Sequence, residues 1–99
     1  MIANMSDAIL ARRLRELERI GKGVANHRRI QILDLLVRTP ELSVIEVANE
    51  LGANFKTISE HIRRLTIAGL VMKRNDNAAV RHRLTSRGIL ILKFLRTLE

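Results

Sequence analysis

The chain contains no cysteine, no tryptophan and no tyrosine, and its 99 residues include one proline and two phenylalanines. Without thiols it can form no disulfide, no thiolate metal site and no thiol redox sensor. Phe55 and Phe94 are the only rings available for aromatic packing. No run approaches the ~20 apolar residues of a membrane span, and no basic segment followed by an apolar core marks a secretory signal. The expectation is a soluble, cytoplasmic protein with no membrane partner. Also missing are a Gly-rich phosphate loop, paired acids and a nucleophile motif. His27, His61 and His82 fall in three separate stretches without metal-ligand spacing. No catalytic site, metal or other cofactor is expected, and the chain reads as a non-enzyme.

Negative charge is scarce in one half. The formal net charge is +8. Residues 1–52 are nearly balanced, with eight Lys/Arg and seven Asp/Glu, whereas residues 53–99 carry ten and three. That asymmetry points to a polyanionic partner. A merely solubilising surface would intersperse both signs. One small domain is expected over residues 1–99, with enough apolar residues (46%) for a core.

Ser43 to Leu70 organises the rest. Ser43 and Glu46 have capping-box spacing, and Leu42 and Val47 flank the box as a hydrophobic staple. Val44, Val47, Ala48 and Leu51 then recur at helical period, and Gly52 follows them as a stop. A second helix starts after Asn54, a good N-cap. Ile58, Ile62 and Leu65 form its buried stripe, and Gly69 with Leu70 fits a Schellman ending. Lys56, Ser59, Glu60 and Arg63 lie on the opposite side. Two helices joined by a tight turn over residues 43–69, with a polar-to-basic outer face on the second, make a helix-turn-helix.

The flanking segments follow the same logic. Met1 to Met5 reads as a loose end. A helix from Ser6 or Asp7 to about Ile20 presents Leu10, Leu14 and Leu17 as a narrow stripe, with Gly21 and Gly23 ending it. Asn26 caps a central helix to about Arg38, in which Ile30, Leu33 and Val37, with Ile32 and Leu36 beside them, form a wide buried face. Arg28 and Arg29 near its start oppose the helix dipole. They either reach a phosphate or are exposed with no partner. After Leu70 the period becomes strand-like. Two short strands around Asn75-Asp76-Asn77-Ala78 form a hairpin over residues 70–85. Its second strand places Val80, His82 and Leu84 on a mostly apolar face, with Arg81 and Arg83 on the other. Thr85 caps a last helix, about 86–98, that is apolar nearly all round and therefore needs burial on more than one side. A second subunit supplies that most simply. The expected homodimer interface comprises Leu10, Leu14 and Leu17 with Ile91, Phe94, Leu95 and Leu98.

The segments VANELG…TISEHIRRLTIAGLV, Ala25 to Leu33 (ANHRRIQIL) and Arg83 to Gly88 (RLTSRG) together resemble the winged helix-turn-helix of the ArsR family, and MarR-type regulators more distantly. The family usually has Pro at the position of His27. The resemblance covers roughly Val24 to Leu98. It implies a mainly α fold with a small β-hairpin, order α-α-α-α-β-β-α, in which the hairpin is a wing whose basic tip straddles phosphates or enters a minor groove. The implied function is a sequence-selective double-stranded-DNA-binding transcriptional regulator, most simply a dimeric repressor. A plasmid partition, viral or architectural DNA-binding protein would use the same fold and charge, and a winged-helix protein-interaction module is the reading from another class.

The expected DNA contacts are Lys56, Ser59 and Arg63 to bases; Asn54, Thr57 and Arg64 to phosphates; and Lys73, Arg74, Arg81 and Arg83 from the wing. Glu60 either accepts from cytosine or pairs with Arg63 or Arg64. Phe55 either touches a thymine methyl or, as favoured here, fills the core. His61 reads as a partly buried structural residue. Metal-sensing members often carry Cys-x-Cys at the start of the first motif helix, where this chain has Ser43-Val44-Ile45. Others use Asp and His on the last helix, which has neither here. The resemblance thus carries no known metal site, and any small-molecule effector is unidentified.

Overall fold

The computed structural model describes residues 6–99, so Met1 to Met5 lie outside it. Five helices and one hairpin follow in order: α1 (Asp7–Val24), α2 (His27–Arg38), α3 (Val44–Leu51), α4 (Phe55–Ile67), β1 (Val71–Asn75), β2 (Val80–Leu84) and α5 (Ser86–Arg96). This is the expected winged helix-turn-helix.

Every helix starts at a side chain that satisfies an otherwise unpaired backbone N–H. Ser6, Asn26, Ser43, Asn54 and Thr85 accept from the first turns of α1 to α5 respectively. The capping box of α3 is complete: Glu46 N–H donates to Ser43 Oγ at 3.2 Å and Ser43 N–H donates to Glu46 Oε1 at 2.9 Å. The turn into α4 needs a left-handed residue, supplied by Gly52 at φ 59°. Gly69, at φ 76°, ends α4 in a Schellman motif. There Leu70 N–H donates to Leu65 O at 2.9 Å and Gly69 N–H to Thr66 O at 3.0 Å.

Three boundaries and faces differ from expectation. First, α1 runs through both glycines to Val24. Neither Gly21 nor Gly23 takes a positive φ, so neither acts as a stop. Gly23 instead allows close approach, because a Cβ there would collide with the Cβ of Ala68 at the end of α4. Second, the buried face of α2 is Ile32, Leu33, Leu35 and Leu36, while Val37 is exposed. The face is rotated toward α4, α5 and the wing, all of which α2 contacts. Third, α5 ends at Arg96, and Thr97 and Leu98 continue only as turns.

The core lies between α2, α3, α4 and the base of the hairpin. Ile32, Leu33, Val47, Ile58, Leu65 and Leu70 are all fully buried there. β1 and β2 pair antiparallel, with Val71 opposite Leu84, Lys73 opposite His82 and Arg74 opposite Arg81. The segment before α3 adds a third rung on the other edge of β2: His82 N–H donates to Leu42 O and Glu41 N–H to His82 O, each at 2.9 Å. Glu41 reaches this register at φ 68°, a conformation that a non-glycine residue adopts at some cost.

By contrast, the apolar residues of α1 and α5 are largely uncovered within one chain. Leu14, Leu17, Leu90, Phe94 and Leu98 are between 56% and 67% exposed. Leu10, Ile91 and Leu95 are half-buried.

Candidate nucleic-acid interface

The outer face of α4 follows from its buried stripe. With Ile58, Ile62 and Leu65 turned inward, the 3.6-residue period puts Lys56, Ser59, Glu60 and Arg63 outward. Lys56, Thr57, Glu60, Arg63 and Arg64 are exposed and Ser59 is half-buried. Asn54 Oδ1 accepts from the backbone of Lys56 at 2.8 Å and of Thr57 at 3.2 Å. Its carbonyl is thereby committed to capping, which leaves its NH2 to meet a ligand.

Glu60 sits between two guanidinium groups. Arg63 donates to it twice, Nε to Oε2 at 2.9 Å and NH2 to Oε1 at 2.7 Å, and Arg64 Nε donates to Oε1 at 3.1 Å. These bonds, those from Arg63 first, hold the Glu60 carboxyl down at about 2 and raise the pKa of Arg63. Two of the expected DNA contacts are thus held by a carboxylate in the free protein.

Phe55 is not core filler. Its side chain is 51% exposed at the first position of α4. Leu51 and Ala53 close the core beside the turn instead.

The wing also departs from expectation. Arg81 is a strut: Nε donates to Asp76 Oδ2 at 2.6 Å, and NH1 donates to Glu41 O at 3.1 Å and to Glu46 Oε1 at 3.4 Å. The turn itself, Asp76 to Ala79, carries no cation, and its one acid is paired with Arg81. Asp76 Oδ1 accepts from the backbone of Ala78 and Ala79, and the bond from Arg81, then those two, depresses its pKa to about 2. The remaining wing cations stand along the strands. Arg74 pairs with Glu41 at 3.2 Å. Among the described residues, Lys56, Lys73 and Arg83 have no carboxylate within ion-pair distance. Arg74, Arg81 and Arg83 share one face with Met72, while Lys73 lies on the face of His82. Val80 is exposed, because it lies on the tip side of His82. His82 itself is buried, its Nδ1 2.9 Å from Leu42 O. Burial pushes its pKa down despite that hydrogen bond.

Arg29, left open by the sequence, has a definite place. Its NH1 donates to the carbonyls of Lys22 and Gly23 at 3.1 and 3.2 Å, and its Nε donates to His61 Nδ1 at 3.1 Å. The cation thus caps the C-terminus of α1, where the helix dipole favours it, and ties α1 to α4. Burial and then the charge of Arg29 lower the pKa of His61. Arg87 makes a second tie, from NH1 to Glu16 Oε1 at 3.1 Å and to Ala68 O at 3.2 Å. Arg29, Lys56, Thr57, Glu60, His61 and Arg64 line one shallow cleft beside the outer face of α4. The sequence signal for Arg29 was its position, a cation against the dipole of its own helix.

Residues 26–73 match the profile of the bacterial regulatory protein, arsR family. The chain superposes with a TM-score of 0.84 on the homodimeric winged helix-turn-helix DNA-binding domain of Mb0332 from Mycobacterium bovis, described as a possible ArsR-family transcriptional regulator. The two are 32% identical over 98% of this chain and 89% of that one. The chain belongs to the ArsR family. It is also similar to the HTH-type transcriptional regulator Rv0324 of Mycobacterium tuberculosis, 36% identical over 77% of this chain and 33% of that protein. It therefore spans about a third of that curated relative's length. HlyU from Vibrio cholerae gives a TM-score of 0.75 and 29% identity over 90% of this chain and 94% of that one.

Metal-sensing ArsR-family sites do not fit these residues. The start of α3 offers Ser43, Val44 and Ile45 in place of thiols, and α5 carries no Asp or His. Among the described residues no three His, Cys, Asp or Glu side chains gather where they could hold a metal, and none of the described helices is long and apolar enough to cross a membrane.

Proposed function

We propose that this ArsR-family chain is a sequence-selective double-stranded-DNA-binding transcriptional regulator, a repressor that works as a homodimer in the cytoplasm, and not an enzyme. The observation that carries the reading is the exposed outer face of α4, with Lys56, Thr57 and Arg63 projecting from a helix anchored by three buried residues. In this geometry Lys56, Ser59 and Arg63 read base edges in the major groove, where Arg pairs bidentately with guanine. Asn54, Thr57 and Arg64 meet phosphates. Lys73, Arg74 and Arg83 add phosphate contacts from the wing, whereas Arg81, held by Asp76, holds the wing in shape.

The partner for the uncovered residues of α1 and α5 is a second copy of the chain. Leu10, Leu14, Leu17, Ile91, Phe94, Leu95 and Leu98 form the shared interface. Two recognition helices then face successive major grooves about 34–36 Å apart, so the operator is a rough palindrome. The homodimeric state of the similar Mb0332 domain supports this arrangement.

Selection of bound duplexes from a random-sequence pool at near-physiological salt tests the reading. Enrichment of a two-fold symmetric motif with half-sites one helical turn apart is expected. Tight binding without enrichment would replace it with a partition or architectural role, and no binding would remove the DNA-binding function.

A further inference from the structure

Nothing in the fold accounts for Phe55. It is one of two aromatic residues in the chain and is half exposed. It belongs neither to the buried core nor to the apolar residues packed against it. Leaving such a ring in water forgoes the stabilisation that burial would give, and it does so at the first residue of α4. The backbone beneath the ring is fixed, because Asn54 caps the turn that Phe55 begins. By helical spacing Phe55, Ser59 and Arg63 succeed one another at i, i+4 and i+8. The ring therefore stands at the leading end of the row that carries two of the proposed base contacts.

A polar or charged side chain at that position could address phosphates or any base edge. A phenyl ring can address one apolar feature of the major groove, the C5-methyl group of thymine. We propose that Phe55 is a specificity-determining residue that reads a thymine methyl in each half-site, next to the base contacted by Ser59 or Arg63. This inference rests on the DNA-binding reading above.

The test uses the full chain and the duplex recovered by selection. Symmetric pairs of thymines are replaced, one pair at a time, by deoxyuridine, which removes only the methyl, and Kd is measured by fluorescence anisotropy. One pair of positions should weaken binding about fourfold per half-site, the equivalent of about 0.8 kcal/mol for one buried methylene-sized group, and so roughly fifteenfold for the dimer. Phe55→Ala should bind thymine and uracil duplexes equally, and Phe55→Leu should retain part of the preference. Both variants should melt like the parent, since the ring supports no core contact. Discrimination of unchanged size in Phe55→Ala would overturn the proposal, as would a parent protein indifferent to every replacement. A parent that binds no duplex would instead remove the DNA-binding reading, and this inference with it.

Discussion

Two glycines two residues apart in α1 should respond to the same substitution with opposite signs. Gly21 is exposed and an added Cβ would meet nothing within 4 Å, whereas at Gly23 the Cβ would collide with that of Ala68. In a helix, Gly to Ala gains up to about 1 kcal/mol. Gly21→Ala should realise most of that. Gly23→Ala gains the same term but must separate α1 from α4, and forcing an extra carbon into a packed contact costs about 1–3 kcal/mol. The expected net effect is roughly 0–2 kcal/mol of destabilisation. At about 4–8 °C per kcal/mol for a domain of this size, the two variants should melt on opposite sides of the parent and about 10 °C apart. Circular dichroism at one fixed protein concentration measures this, since pairing of chains makes Tm concentration-dependent. Adding Ala68→Gly to Gly23→Ala should recover part of the loss. If Gly23→Ala melts as high as Gly21→Ala, or Ala68→Gly recovers nothing, the close docking of α1 on α4 is wrong.

Glu60→Gln removes the carboxylate that holds Arg63 and Arg64, so binding to random-sequence duplex should tighten several-fold while the ratio of operator to random affinity falls. Unchanged affinity by anisotropy would show that Glu60 does not compete with DNA for the two arginines. Arg63→Ala should abolish operator binding while Arg81→Ala should chiefly loosen the wing, seen as lost amide protection in β1 and β2. Equal loss of DNA binding with an intact wing would return Arg81 to the interface. Leu17→Arg together with Phe94→Arg should convert the proposed dimer to a folded monomer in analytical ultracentrifugation, and persistence of the dimer would place the interface elsewhere. His82 and His61 bind a proton less readily folded than unfolded. Stability should therefore fall as pH drops below about 6.5, the unfolded imidazole value. The double replacement by Gln should flatten that slope in denaturant titrations, and an unaltered slope would assign it to other groups.

What could be read in the sequence was what depends on neighbours along the chain. Capping at Ser43, Asn54 and Thr85, the Gly69 ending and the inward stripe of α4 are local pairings over a few residues, and all appear as expected. The misreadings involve groups brought together from afar. Gly23 looked like a helix stop because Ala68, its reason for being there, is 45 residues away in the chain. The intrachain partners of Arg81 could not be read either, because Glu41 and Glu46, which help hold it, precede it by 40 and 35 residues. Apolar character alone points Phe55 into the core, whereas Leu51 and Ala53 are the residues of that turn that pack against it.

The same long-range ties bear on how two chains could set the position of two recognition helices. Besides the contact of Gly23 with Ala68, two arginines bind α1 to α4: Arg29 at its middle through His61, and Arg87 at its end through Ala68 O. The helix that carries Leu14 and Leu17 into the proposed dimer interface is thus fastened, through its C-terminal half, to the middle and end of the helix that carries Lys56 and Arg63. In a dimer formed through α1 and α5, the spacing and tilt of the two α4 helices would be set by side-chain packing at the interface. A rigid half-site separation then follows from how α1 docks, and a change in that docking would be felt at the bases.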